Sequence, residues 1–179
     1  RLLTRLAMRL STEIWADSQA TLDGRLPFRL RHRARIISMR TCAFPAQEFR
    51  PPQPHFVFWG RLHPQKGLSR ALHLFDHIRQ HFPEARFDIA GPDAGDRARL
   101  ELEVKQLGLD NAVRFRGPQS QDQAFAIGQE SSFFLQTSEM EGQSMSVAEA
   151  MQLGLVPVVT PVGEISRYCH DGQNSIIVR

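Results

Sequence analysis

From residue 54 onward, short runs rich in β-branched and aromatic residues alternate with longer runs of helical spacing. That alternation constrains the fold more than any other feature of the chain. "HFVFWG" (55–60) reads as a buried strand ending at Gly60. "GLSRALHLFDHIRQHF" (67–82) follows, with Leu68, Leu72, Leu74, Phe75, Ile78 and Phe82 near helical spacing. "ARFDIAG" (85–91), "AVRFRG" (112–117), "SFFLQT" (132–137), "LVPVVT" (155–160) and "SIIV" (175–178) read as further strands. Between them, "DRARLELEVKQLGL" (96–109), "SQDQAFAIGQ" (120–129), "SVAEAMQLG" (146–154) and "EISRYCH" (164–170) read as helices, two of them ended by Gly108 and Gly154. Strands that alternate with helices in this way predict an α/β fold, a Rossmann-like parallel sheet of about six strands with helices on both faces. Ligands of such a sheet sit beyond the carboxyl ends of the strands. The loops to inspect are therefore 60–67, 91–96, 117–120, 137–146 and 160–164.

The first fifty residues have a different character. They carry ten Arg against four acidic residues, whereas residues 51–179 carry twelve basic against fifteen acidic, so the overall +3 hides a basic arm on a mildly acidic domain. "FPAQEFRPPQP" (44–54), stiffened by four prolines, is the one linker-like stretch and sets a boundary: a basic N-terminal segment and linker over 1–53, and the α/β domain over 54–179. Within the arm, "EIWADSQATLDGRL" and "RARIISM" suggest a strand, a helical turn and another strand. Such an arm suits nucleic acid, anionic lipid or an acidic neighbouring domain, and equally a solvated helix face. No apolar run approaches the ~18 residues of a membrane span. The chain begins with Arg1, which fits a piece of something longer. Cys42 and Cys169 form neither a disulfide framework nor a metal spacing, and fit reduced thiols of a cytosolic protein.

Two loops carry residues with chemistry. In "GRLHPQKG" (60–67), Gly60 lets the backbone turn closely, Arg61 and Lys66 project two cations, and Lys66–Gly67 opens the next helix, whose first amides favour an anion. That combination suits a diphosphate; a solvated surface loop is the plainer account. Only Lys66 and Lys105 occur beside twenty Arg, so a lysine here hints at a point charge rather than a fork. "AGPDAGDRARL" (90–100) lacks both the dinucleotide fingerprint and the P-loop pattern, and reads as a flexible strand-to-helix turn. In "SEMEGQSMSVAEAMQLG" (138–154), Ser146 and Glu149 fit a capping box, with Glu149 reaching back to the Ser146 amide. Glu141 has no such role. It precedes Gly142, where a flexible backbone and the free amides of Gln143, Ser144 and Met145 can wrap a ligand. From the residues alone, the two glutamates divide evenly between a site and a cap.

Read in order, "GRLHPQKG", "IAGPD", "LGLDNAVRFRG", "SEMEGQSMSVAEAMQLGLVPVVTPVGE" and "HDGQNSIIV" resemble the donor-binding half of the group 1 retaining glycosyltransferases of GT-B architecture, over about residues 55–178. "ADSQATLDGRL" (16–26) is loosely similar to the crossover by which the chain leaves that family's acceptor half. The resemblance implies that Arg61 and Lys66 hold the donor's diphosphate, beside Gly60. It implies that Glu141 contacts hydroxyls of the donor sugar, with the amides of Gly142, Gln143, Ser144 and Met145 beside sugar and phosphates. Glu149 would bind the ribose, and the loop near Phe115 and Gly117 would lie where the base packs. Arg61, Lys66 and Glu141 are the expected catalytic group. The donor would be a UDP-, GDP- or ADP-sugar, with no metal and no resident cofactor. The implied reaction is retaining transfer to an acceptor, from the cytoplasm and with the basic arm near a membrane surface; nucleic acid is not an expected partner. The expected partner is an acceptor-binding N-terminal domain, without which this fragment is expected to be inactive. Ser175 and Glu164 stand where the family often has glycine. Alternatives are a sugar-nucleotide epimerase or phosphorylase of the same plan, or a non-catalytic module binding nucleotides or polyanions.

Overall fold

The structure is a computed structural model that describes residues 2–37 and 50–179, and of residues 2–5, 20 and 25 the backbone only. Cys42, most of the proline-rich linker and the end of "RARIISM" lie outside the described residues.

The N-terminal segment forms a small unit. Helix α1 (Leu2–Leu10) leads to strand β1 (Ile14–Ala16), helix α2 (Gln19–Arg25), a 3-10 turn (Phe28–Arg33) and strand β2 (Ala34–Ile36). β1 and β2 pair in parallel, Ile14 opposite Ala34, as the expected strand, helical turn and strand. Ser18 caps α2, its hydroxyl accepting the Thr21 amide at 3.1 Å. A separate cluster of Leu22, Leu26 and Leu30 fills the unit's interior. Leu10, Trp15 and Phe28 remain exposed on its outside.

The main domain continues as β3 (His55–Trp59), α3 (Leu68–His81), β4 (Arg86–Ala90), α4 (Arg97–Gln106), β5 (Val113–Gly117) and α5 (Gln121–Gln129). It then runs through β6 (Phe133–Gln136), α6 (Met145–Gln152), β7 (Val156–Val159), α7 (Ile165–Tyr168) and β8 (Ile176–Ile177). Six strands form one sheet in the order β5-β4-β3-β6-β7-β8, every pair parallel. Successive residues Val57 and Phe58 are both fully buried, so both faces of β3 are covered, as a parallel sheet requires. α3 buries Leu68, Ala71, Leu72 and Phe75, an i, i+3, i+4, i+7 stripe facing the sheet. Phe56 stacks on Phe133 with ring centroids 4.9 Å apart, and Phe75 meets Phe87 at 5.5 Å, so aromatic residues tie neighbouring strands to α3.

Pro157 sits inside β7, an interior strand. Val156 and Thr160 donate their amides to β6, at Ser132 and Gln136, so the nitrogen of Pro157 faces the other side. β8 begins pairing only at Val158, so the missing N–H deprives no neighbour.

After β3 the chain adds β4 and β5 on one side, then returns to place β6 on the other. The strand order therefore reverses between β3 and β6, and the loops that leave those two strands part to form a crevice.

Candidate functional site

The crevice is built by loops that lock onto one another. The Leu62 amide donates to Pro92 O at 2.9 Å and the Ala94 amide to Leu62 O at 3.0 Å, so the loop after β4 props up the loop after β3. Asp93 accepts the amides of Gly95, Asp96 and Arg97 on one oxygen, and its carboxyl is held below the usual range, chiefly by the Gly95 and Arg97 amides. "AGPD" is thus a tied turn, not the flexible one expected from its glycines. On the other flank the Glu139 amide donates to Gln65 O at 2.9 Å and Thr137 Oγ1 to Gly67 O at 2.6 Å. Gly67 has φ +64, and a Cβ there would collide with the Thr137 carbonyl. A third loop closes from behind: Thr160 Oγ1 donates to Ser138 O at 2.6 Å, the Glu164 amide to Gly142 O at 2.9 Å, and Tyr168 OH to Gln143 O at 2.7 Å. Burial pushes the Tyr168 phenol up, so it stays a neutral donor.

Two pockets open along this crevice. The first, about 330 Å³, is walled by Trp59, Gly60, Arg61, Gly91, Gln119, Gln121, Phe125 and Glu149, among others. Glu149 Oε2 accepts the Trp59 indole N–H at 3.0 Å and Oε1 accepts Gln121 Nε2 at 3.1 Å. The capping box is therefore incorrect. α6 starts at Met145, earlier than that box requires; its N-cap is Ser144 at φ +52, and Ser146 Oγ donates instead to Gln136 Oε1 at 2.9 Å. Glu149, one turn in, faces the pocket rather than the helix end. A complete capping box does exist, at Ser120 and Gln123 on α5. The Arg61 guanidinium is exposed and has no hydrogen-bond or ion-pair partner among the described residues. Phe115 does not reach this pocket: it is half-buried against the core, with the Arg97 guanidinium 5.8 Å from its ring centroid. Gly117 serves through its backbone, accepting the Gly91 amide at 2.7 Å and turning at φ +69 toward Gln119–Gln121, which supply the wall instead.

The second pocket, about 270 Å³, is lined by Asp17, Lys66, Glu141, Gly142, Gln143, Ser144, Met145 and Ser146. Lys66 Nζ lies 2.7 Å from Glu141 Oε1, with side chains 17% and 8% exposed. The same oxygen accepts Ser138 Oγ at 2.6 Å and Gln136 Nε2 at 3.1 Å. Lys66 is thus not a free cation twinned with Arg61, as the loop's spacing implied; one of its three donors is committed to Glu141. Gln136, fully buried at the end of β6, also donates to Ser144 Oγ at 2.8 Å and so orients both sides of the loop. Gln136, Trp59, Gln121 and Asp17 were missed in the sequence. Their signal, polar or indole groups at the carboxyl ends of strands or, for Gln121, at the start of the helix that follows one, has force only once the strand order is known. No group of three His, Cys, Asp or Glu side chains able to hold a metal occurs among the described residues.

The sheet order, the reversal at β3 and β6 and the paired pockets define one half of a GT-B glycosyltransferase, the half that lies at the C-terminal end of such chains. The family model described as "Glycosyl transferases group 1" matches residues 40–179, and the chain belongs to that family. It is 29% identical, over 75% of its length and 36% of the relative's, to the GDP-mannose:cellobiosyl-diphosphopolyprenol alpha-mannosyltransferase of Xanthomonas campestris. The protein of that name from Xanthomonas oryzae is 27% identical over 98% of this chain and 47% of its own length. The chain therefore spans between about a third and a half of these relatives. Among solved structures, Anabaena HepE in complex with UDP-glucose superposes with a TM-score of 0.75 at 20% identity, covering 99% of this chain and 52% of that one. TarM superposes at 0.82 with 16% identity, covering 100% of this chain and 36% of that one.

Proposed function

We propose that this chain is the donor-binding part of a retaining, metal-independent glycosyltransferase that moves a sugar from a nucleoside-diphosphate sugar to an acceptor. The observation that carries the reading is the pair of adjoining pockets at the switch point. One is walled by Glu149, with Arg61, which has no partner among the described residues, at its edge; the other holds the Lys66–Glu141 pair. A nucleoside fits the first, with Glu149 accepting ribose hydroxyl hydrogens. A hexose fits the second, against Glu141. The diphosphate would span Arg61 and the remaining donors of Lys66. The relatives named above use GDP-mannose, and HepE is solved with UDP-glucose, which supports a nucleotide-sugar donor here.

In this mechanism the acceptor oxygen bonds to the anomeric carbon on the face from which the diphosphate departs. The bond from that carbon to the diphosphate oxygen breaks, and the acceptor's proton passes to the leaving phosphate. Arg61 and Lys66 stabilise the charge that grows on that phosphate, the work a metal does elsewhere. The acceptor would be held by an N-terminal domain that faces these pockets. The edges of the β1–β2 sheet, unpaired among the described residues, and the exposed Leu10, Trp15 and Phe28 are the surface such a domain would cover.

Calorimetric titration of the chain with UDP, GDP and ADP, each against its nucleoside, tests the reading. One diphosphate should bind well and its nucleoside about ten- to a hundredfold more weakly. Absence of binding by all three would end it.

A further inference from the structure

We propose that Asp17 is a specificity-determining residue of the second pocket, accepting a hydroxyl hydrogen from a neutral hexose of a uridine or guanosine donor and excluding donors whose sugar carries a carboxylate. The proposal rests on the nucleotide-sugar reading above.

Asp17 comes from the far end of the sequence, yet it lines the pocket that holds Lys66 and Glu141. It follows directly on β1, beyond that strand's carboxyl end. Its placement is set from several sides. Ser18, fully buried, lies with Oγ 3.2 Å from Asp17 Oδ1. The next residue, Gln19, donates its amide to Glu164 Oε1 at 2.8 Å, and Gln143 Nε2 donates to Ile37 O at 3.0 Å. The N-terminal segment is thereby fastened to the loops on both sides of the pocket. Gly142 completes the fit, because a Cβ at that position would collide with Asp17 Oδ2. Oδ2 accepts no hydrogen bond among the described residues. Glu164, which stands where the family often has glycine, therefore acts in this chain as the clasp that presents Asp17.

Charge decides what Asp17 can recognise. The Lys66 ammonium is already matched by Glu141 at 2.7 Å, so Asp17 leaves the pocket with an unmatched negative charge. A carboxylate binds hydroxyl donors strongly. A uronate in the same pocket would set two negative charges a few ångströms apart; with Asp17 open to solvent, that repulsion amounts to about a tenfold loss of affinity.

The test titrates the chain and its Asp17→Asn and Asp17→Ala variants with UDP, UDP-glucose and UDP-glucuronate, and with GDP, GDP-mannose and GDP-mannuronate. The unaltered chain should bind the hexose form about tenfold more tightly than the uronate. Asp17→Asn and Asp17→Ala should each erase most of that ratio while changing affinity for the bare diphosphate less than about threefold. Because each ratio is taken within one variant, any unfolded fraction cancels. Discrimination that survives both variants overturns the proposal. So does a gain for the bare diphosphate equal to the gain for the uronate, which would make Asp17 a diffuse field rather than a wall of the sugar pocket. Binding to ADP alone also overturns it but leaves the nucleotide reading standing; no binding to any diphosphate removes both.

Discussion

At Glu149 the two candidate roles separate by geometry: a carboxylate whose oxygens accept Trp59 Nε1 and Gln121 Nε2 is turned away from the amides at its own helix end. Glu149→Gln keeps an oxygen for the indole, so melting should shift little. Affinity for every nucleoside should fall about tenfold, since an amide accepts ribose hydroxyls less strongly than a carboxylate. Normal affinity on calorimetry would sink the ribose assignment. Arg61 and Lys66 should also part company. Arg61→Ala removes a group with no partner among the described residues, so it should weaken the diphosphate ten- to a hundredfold and leave melting and the bare nucleoside unchanged. Lys66→Ala also leaves the Glu141 carboxylate, 8% exposed, with Ser138 and Gln136 but no cation, and should cost on the order of 2 kcal/mol of stability, less than for a fully buried pair. Equal melting temperatures for the two variants would contradict the pairing. The residue types were legible in the sequence, but their pairing was not. Lys66 and Glu141 are 75 positions apart, and only the strand reversal brings their loops together.

Elements were legible nearly to their ends: the central strands β3 and β6 are buried on both faces and read as near-continuous apolar runs, whereas the edge strand β5 alternates Val113 and Phe115 with exposed Arg114 and Arg116. What was hidden lies where elements meet. Ser146 and Glu149 have the spacing of a capping box, but Ser146 Oγ is claimed by Gln136 from β6, and local propensity yielded to that contact. The glycines of the crevice were likewise readable as turns and not as points of contact. Gly67 and Gly108 make a controlled pair. Both have positive φ, +64 and +67, but a Cβ at Gly67 meets the Thr137 carbonyl, whereas at Gly108 nothing lies within 4 Å. Gly108→Ala should cost about 1 kcal/mol, the backbone term alone. Gly67→Ala should cost on the order of 3 kcal/mol, because the loop after β6 must shift as well. Denaturant melts of the two variants give the comparison, and equal losses would mean that the two loops are not in register at Gly67.

Across the whole molecule, pH reports how tightly the second half of the sheet is closed. Burial pushes the Cys169 thiol from its ordinary 9.0 up to about 11. Between those values the unfolded chain releases a proton that the folded chain keeps, so stability should fall as pH rises through that window. Cys169 should also resist alkylation at pH 8 until the chain is unfolded, which peptide mass spectrometry can follow; rapid labelling of the native chain would show that α7 opens readily. A break in charge and a cluster of prolines mark a basic segment ahead of the α/β domain in the sequence. That residues of the segment would lie against the crevice was not legible, since nothing local marks Gln19 for Glu164 or Ile37 for Gln143. The knitting of the loops bears on how a ligand comes and goes. The stretch after β6 is anchored to Gln65, Thr160, Glu164 and Tyr168. A strip held on so many sides does not lift alone; the Glu139 amide, bonded to Gln65 O, should exchange with deuterium as slowly as those of the sheet. The traffic of ligand then falls to the N-terminal segment, whose amides at 14–19 should exchange first and slow most when the pockets are filled.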